Sequence, residues 1–126
     1  MFNVDPRSST PIYEQIVEEI KVNIMRGLLL PGEKLPSVRE MSTLLTVNPN
    51  TVSKAYQELE QERAIETLRG RGTFVAQNYK PKKDEERMAE VKELLKKAVI
   101  ESHYMGLSQK EVLAMLREVF QELGER

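Results

Sequence analysis

The 126-residue chain contains no cysteine, which excludes disulfide bridges, thiolate metal sites and thiol catalysis. Its single histidine, His103, is too little for a Ser-His-Asp site, and a lone histidine near a helix end is more often structural than a metal ligand. No apolar run approaches the length of a membrane span, and the first residues lack the basic and apolar regions of a secretion signal. We therefore expect a cytoplasmic protein without membrane contact, metal or cofactor, and not an enzyme.

The chain also has little net charge, because 19 Lys and Arg nearly balance 20 Asp and Glu and leave −1. Residues 1–83 carry 12 Lys and Arg against 10 Asp and Glu, whereas residues 84–126 carry 7 against 10. No acid occurs from Thr46 to Gln57, and five basic residues without an acid occur from Thr67 to Lys83. Because DNA responds to local potential, a basic face can exist on a near-neutral chain.

The first part of the chain predicts three helices and a hairpin. Thr10–Pro11 places a capping hydroxyl and a proline at the start of the first helix, and Asn48–Pro49 does the same for the third. Ser37–Glu40 has the pattern of a capping box for a short second helix. Strand-like alternation follows at Ile65–Leu68 and Thr73–Ala76, joined by a glycine-rich tip at residues 69–72. This order predicts a winged helix-turn-helix.

The remainder predicts a linker and a helical tail. Residues 78–86 are polar and interrupted by proline, and two amphipathic helices follow, separated by Gly106. A second capping box begins the last helix at Ser108–Glu111. The predicted fold is mostly α with a small β-hairpin: a DNA-binding domain at 1–77, a linker at 78–86 and a dimerisation tail at 87–126.

The outer face of the third helix has the composition of a surface that reads a major groove. Asn50, Thr51, Ser53, Lys54 and Gln57 are polar and uncharged or basic. Acids return only toward the end of the helix, which would leave the groove. Because the first residues of a recognition helix meet base edges, these side chains are suited to reading sequence.

Residues 11–75 resemble the DNA-binding domain of the GntR family in four blocks of matching order and spacing. The blocks are Pro11–Ile16, Pro31–Glu40, Asn50–Tyr56 and Arg69–Val75. The short two-helix tail resembles the YtrA subfamily. This resemblance implies a sequence-specific regulator, most simply a repressor, and control of a transporter operon, because YtrA-like proteins often sit beside transporter genes.

The resemblance also implies roles for individual residues. The second helix would hold DNA through an arginine, the third would read bases, and the wing tip would follow the minor groove or backbone. The implied DNA-binding residues are Arg39, Asn48, Asn50, Thr51, Ser53, Lys54, Arg69, Gly70, Arg71 and Gly72. Many relatives carry glycine where Ala64 stands, and alanine tolerates a left-handed helix end poorly, so the turn into the wing is not defined by the sequence.

Other interpretations stay open for several of these positions. Arg39 could instead form a salt bridge with Glu40 or Glu33, and Tyr56 fits a core position better than a base-stacking one. The lysines at 80–83 suit phosphate contacts or a solvated linker equally. For the whole chain, the alternative is an architectural or weakly specific DNA-binding protein, although a near-neutral charge disfavours it.

The tail predicts self-association. Two helices of about 20 and 16 residues cannot bury both apolar faces against each other, because units this small are marginal alone. We therefore expect a homodimer that holds two DNA-binding domains over a palindromic operator. The expected partners are double-stranded DNA and a second copy of the chain, with an unidentified small-molecule effector as a further candidate. Two further interpretations are less consistent with the sequence. The capped tail argues against the detached DNA-binding head of a MocR-type regulator. The acid-free face of the third helix argues against a protein-interaction module.

Overall fold

The structure, a computed structural model, describes residues 2–77 and 84–124. Within these ranges it has five helices and one two-stranded antiparallel sheet. The elements are α1 (Ile12–Met25), α2 (Val38–Leu45), α3 (Pro49–Gln61), β1 (Ile65–Leu68), β2 (Gly72–Val75), α4 (Glu85–Tyr104) and α5 (Gln109–Glu122). The chain divides into two compact units, Met1–Tyr79 and Lys80–Arg126.

The core of the first unit is built where α1 and α2 pack against α3. On α3 the buried positions recur at helical spacing, at Val52, Ala55, Tyr56 and Leu59, which is the pattern of a helix with one face in the core. The hydrophobic core comprises Ile16, Val17, Ile20, Leu29, Leu35, Met41, Val52, Ala55, Tyr56, Leu59, Ile65 and Val75. The order of three helices and a hairpin confirms the predicted winged helix-turn-helix.

In the first unit, two of the three predicted helix starts are confirmed in atomic detail. The Ser37 hydroxyl accepts a hydrogen bond from the Glu40 amide, and the Glu40 carboxylate accepts one from the Ser37 amide, each at 3.1 Å. The Asn48 side chain accepts from the Asn50 amide at 2.8 Å, with Pro49 as the first helical residue. These caps satisfy amides that no helical carbonyl can reach.

The predicted start of α1 is wrong by one residue. Pro11, not Thr10, occupies the N-cap position, and its side chain makes no capping hydrogen bond. Thr10 is held elsewhere: its amide donates to the Ser8 hydroxyl at 3.1 Å and its carbonyl accepts from Gln15 Nε2 at 2.8 Å. The side chain of Gln15 also bonds both backbone groups of Asp5. The segment before α1 is therefore bound to the helix and cannot provide the expected cap.

Two residues other than glycine adopt left-handed backbone conformations at helix ends. Thr46, the C-cap of α2, has φ 56°, and the amide of Val47 donates to the Ser42 carbonyl at 3.0 Å. Arg63 has φ 62° just after α3. The left-handed residue at the turn into the wing is therefore Arg63 and not Ala64, so glycine is not required at position 64.

The wing is wider than the predicted hairpin. β1 and β2 pair antiparallel from Ile65↔Val75 to Leu68↔Gly72, so β2 begins at Gly72, one residue before the predicted strand. A third segment lies along the outer edge of β2: the Leu35 amide donates to the Thr73 carbonyl, and the Val75 amide donates to the Glu33 carbonyl, both at 2.8 Å. The connector between α1 and α2 thus covers an edge that would otherwise be open.

The second unit contains α4 and α5. Asp84 caps α4 through the Glu86 amide, and Ser108 forms the predicted capping box with Glu111. The predicted linker residues 78–83 lie outside the described residues, whereas positions 85–86 belong to α4. Within the described ranges, no helix is long and apolar enough to cross a membrane.

Both helices of the second unit expose large apolar side chains. These are Met88, Val91, Leu94, Leu95, Val99, Ile100, Tyr104, Leu113, Met115, Leu116, Val119 and Phe120. In α4 and α5, only Ser102 is buried. The apolar face that periodicity predicts on each helix is thus present but remains uncovered in a single chain.

Candidate nucleic-acid interface

The face of α3 opposite the core carries the predicted reading residues. Asn48, Asn50 and Lys54 are exposed, while Thr51 and Ser53 are partly exposed. No acidic residue lies in the first turn of α3. The amide, hydroxyl and ammonium groups of these side chains can donate to or accept from base edges. The cap uses the Asn48 side-chain oxygen, so the free group at this position is its NH₂.

Lys54 lies against an aromatic ring that we did not predict to belong to the interface. Its Nζ is 3.9 Å from the centroid of the Tyr13 ring, which is a cation–π contact. The Tyr13 hydroxyl donates to Glu14 Oε1 at 3.2 Å. That hydrogen bond, with the nearby charge of Glu14, raises the pKa of the Tyr13 phenol. The first turn of α1 therefore borders the reading face.

Arg39 stands exposed in the first turn of α2. Its carbonyl accepts hydrogen bonds from the hydroxyls of Ser42 and Thr43. In the part of the chain that the structure describes, the Arg39 guanidinium has no ion pair within 4.0 Å. The alternative partner Glu40 is engaged in the capping box, and the hydrogen bonds from Ser37 lower the pKa of its carboxyl. The guanidinium is therefore available to an external anion.

The wing tip joins two exposed arginines to two glycines with left-handed backbones. Gly70 has φ 78° and Gly72 has φ 122°, a region that side chains rarely adopt. A Cβ at Gly72 would lie 2.9 Å from Cε of Lys34. The Arg71 amide donates to the Leu68 carbonyl at 2.9 Å and closes the turn. The tip thus presents backbone and positive charge with little side-chain bulk between them.

Tyr56 belongs to the core rather than to the reading face. Its side chain is 4% exposed, and its hydroxyl donates to the Pro36 carbonyl at 2.6 Å. Burial raises the pKa of the Tyr56 phenol well above its ordinary value. This hydrogen bond connects α3 to the segment that leads into α2.

The predicted site residues come from three elements of one unit. α2 packs against α3, and α3 contacts β1, so the arginine of α2, the outer face of α3 and the wing are carried on a common core. Among residues 2–77 and 84–124, no group of His, Cys, Asp or Glu could hold a metal ion. Tyr13 and Lys34 border this surface through tertiary contacts with Lys54 and Gly72, which no local sequence pattern predicts.

This fold and surface define a winged helix-turn-helix DNA-binding protein. The model of the family described as bacterial regulatory proteins, gntR family, matches residues 12–75. The chain therefore belongs to the GntR family, and it is a DNA-binding transcriptional regulator rather than an enzyme.

Relatives extend the similarity beyond the DNA-binding unit. The chain is 50% identical over 119 residues to the HTH-type transcriptional repressor YtrA of Bacillus subtilis, covering 94% of this chain and 92% of that one. It also resembles the crystal structure of a transcriptional antiterminator from Listeria monocytogenes EGD-e, with TM-score 0.90, 40% identity and coverage of 100% and 94%. These matches confirm the resemblance to YtrA and the overall architecture.

A third comparison concerns DNA directly. The DNA-binding domain of AraR, solved in complex with operator ORX1, has TM-score 0.53 and 35% identity, covering 58% of this chain and 90% of that one. The first unit is thus similar to a domain that was solved with operator DNA bound.

Proposed function

We propose that the chain is a repressor that binds a palindromic operator as a homodimer. DNA contact is assigned to Arg39, to the wing tip at 69–72, and to the start of the recognition helix: Asn48 at the N-cap of α3 and Asn50, Thr51, Ser53 and Lys54 within it. The observation that carries this assignment is the acid-free first half of α3, with its exposed and partly exposed polar side chains. The same unit carries the exposed Arg39, Arg69 and Arg71, which have no ion pair within 4.0 Å among the described residues. Phosphate contacts position such a protein, and base contacts give it specificity. A cytoplasmic location follows from action on the chromosome.

Residues on the three elements would act differently. Arg39 and Arg71 would neutralise phosphates on either side of the groove, while the glycines beside Arg71 let the backbone approach the strand. Asn50 and Lys54, on the exposed face of α3, would read base edges. An amide can form paired hydrogen bonds with adenine and an ammonium can donate to guanine, so both side chains can discriminate bases.

The tail would supply the dimer. Leu95 is 51% exposed and Phe120 is 48% exposed, and similar side chains line both helices. Exposed apolar side chains in this number are typical of an interface, because they lose water contact when a second copy covers them. The predicted assignment of 1–77 to DNA binding, 78–86 to a linker and 87–126 to dimerisation stays our proposal, except that Glu85 and Glu86 belong to α4 and so to the dimerisation unit.

The similarity to a YtrA repressor supports two further assignments. We propose repression of a transporter operon, following the genes beside which YtrA-like proteins are found. We also propose that a small-molecule effector, if the regulator responds to one, binds the helical unit. An apolar groove of about 330 Å³ there lies between α4 and α5, bordered by Val99, His103 and Leu113. DNA footprints upstream of the chain's own gene and of neighbouring transporter genes test the first assignment.

The DNA interface is tested by selecting an operator from random duplexes and measuring affinity across salt concentrations. Arg39→Ala and Arg71→Ala are each expected to weaken binding by about 1–3 kcal/mol. Each should also reduce the slope of log affinity against log salt concentration by about 1, because one phosphate contact is lost. Arg26→Ala is the matched control, because Arg26 is an exposed arginine at the opposite end of α1 from Tyr13. Unchanged affinity and slope in both test variants would refute the placement of the interface.

Sequence reading and dimerisation have separate tests. Asn50→Ala and Lys54→Met are expected to change the preferred sequence in the selection, whereas an unchanged preference in both would remove them from the reading face. In sedimentation, Leu95→Glu should convert a dimer to a monomer, because it places a charge in the apolar face. Lys97→Glu introduces the same residue two positions away, on the opposite side of α4, and should remain dimeric. A wild-type monomer at micromolar concentration would contradict the dimer.

A further inference from the structure

We propose that Tyr13 is a positioning residue that holds Lys54 ready to read DNA. The inference rests on the proposed reading role of Lys54. It assigns a function in sequence recognition to α1, a helix that otherwise contributes to the core. Tyr13 itself need not touch DNA for this role, because it acts through the ammonium group of Lys54.

The geometry of the pair carries the inference. Lys54 Nζ lies 3.9 Å from the Tyr13 ring centroid, well inside the distance of about 6 Å over which a ring face attracts a cation. Tyr13 is partly buried and packs against the hydrophobic core, so the ring is a fixed platform. Lys54 is exposed, and an exposed lysine without such a platform samples many rotamers.

Lys54 has another candidate partner on its own helix. Glu58 lies four residues later, the spacing at which lysine and glutamate pair on a helix surface. Among the described residues, however, no ion pair within 4.0 Å joins them. Glu58 is close enough for its charge to raise the pKa of the Tyr13 phenol. The contact that the structure gives to the ammonium is therefore the Tyr13 ring and not an ion pair with Glu58.

A cation–π contact leaves the lysine able to bind. The ring occupies one side of the ammonium, while its N–H groups on the other side stay free to donate to a base or a phosphate. Because the rotamer is already selected, less side-chain entropy is lost when DNA binds. Tyr13 should thus improve affinity and sharpen the base preference that depends on Lys54.

The contact itself can be observed without DNA. In the full-length protein, the ε-methylene protons of Lys54 should show an upfield NMR shift caused by the ring current of Tyr13. Tyr13→Phe keeps the ring and loses only the bond to Glu14, so the shift should persist. Tyr13→Leu should abolish it. Lys54 shifts that are identical in wild type and Tyr13→Leu would overturn the contact and the proposal.

Binding to the selected operator then tests the positioning role. Tyr13→Leu should weaken binding about twofold to fivefold, the range of an exposed cation–π contact, and broaden the base preference. Tyr13→Phe should restore both. In a Lys54→Met background, Tyr13→Leu should cause no further loss, because the two residues act as one unit. An equal loss in both backgrounds, or tighter binding by Tyr13→Leu, would overturn the inference.

Two failures can be told apart. If Lys54→Met binds the same sequences with unchanged affinity, the reading role of Lys54 in the proposed function is refuted, and the positioning role falls with it. If Lys54→Met loses preference while Tyr13→Leu keeps it and remains folded by circular dichroism, only the positioning role is refuted.

Discussion

The hydrogen bond between Tyr56 and Pro36 predicts a measurable loss of stability in Tyr56→Phe. The substitution keeps the aromatic ring, which is almost wholly buried, so it creates little cavity. It removes one hydrogen bond, of 2.6 Å, between the phenol of α3 and the carbonyl before α2. What changes is therefore one polar contact at the junction of the two helices.

The expected loss in the free energy of unfolding follows from the carbonyl that the substitution leaves without a donor. Removing the donor leaves the Pro36 carbonyl without its bond, and a loss of this kind costs about 1–2 kcal/mol in the free energy of unfolding. For a unit of this size, each kcal/mol lowers the melting temperature by roughly 4–8 °C. The sequence preference in DNA selection should not change, because Tyr56 does not lie on the reading face.

The assay is thermal unfolding of the full chain by circular dichroism, with amide hydrogen exchange of α3 to report on the first unit alone. Burial raises the pKa of the Tyr56 phenol, so the native state favours the neutral form. The stability that Tyr56 contributes is complete below its ordinary pKa of 10.0 and is lost as pH rises above it. The difference in melting temperature between wild type and Tyr56→Phe should therefore become smaller at alkaline pH. Equal melting temperatures of the two proteins at neutral pH, or a difference that grows at alkaline pH, would refute this prediction.

Three further predictions concern the backbone of the DNA-binding unit. Ser37→Ala removes a capping partner and should lower the free energy of unfolding by about 0.5–2 kcal/mol in urea titration; Ser37→Asn should not. Thr46→Asn should raise stability by roughly 1 kcal/mol in the same titration, because asparagine tolerates φ 56° better than a β-branched residue. Gly72→Ala should weaken operator binding, because its Cβ meets Lys34 and φ is 122°. In the Gly27→Ala control the backbone is also left-handed, with φ 75°, but the Cβ meets nothing within 4 Å, so this variant carries the backbone cost away from the wing and should bind the operator normally.

The elements of this protein follow from local patterns in the sequence. Apolar spacing places Val52 and Leu59 on the inner face of α3, and capping chemistry places its start at Asn48–Pro49. Both rest on interactions within a few residues, which is why they can be predicted without a tertiary structure. The polar face of α3 follows as well, because it is the complement of the buried face.

Other features depend on contacts between distant segments. The start of α1 moved to Ile12 because Gln15 holds the preceding segment through Asp5 and Thr10. The third segment of the wing requires residues 33–35 to pair with β2, about 40 positions along the chain. Neither pairing leaves a signature in the local sequence.

The sequence by itself determined that this chain has a recognition helix, a wing and an apolar tail, because each depends on periodicity, capping or turn chemistry within one segment. Only the tertiary structure placed Tyr13 beneath Lys54 and left Arg39 without an ion pair among the described residues. The reason is physical. The way in which α1 packs against α3 decides which side chains of the two helices meet, and this packing is set by the whole core rather than by either helix alone.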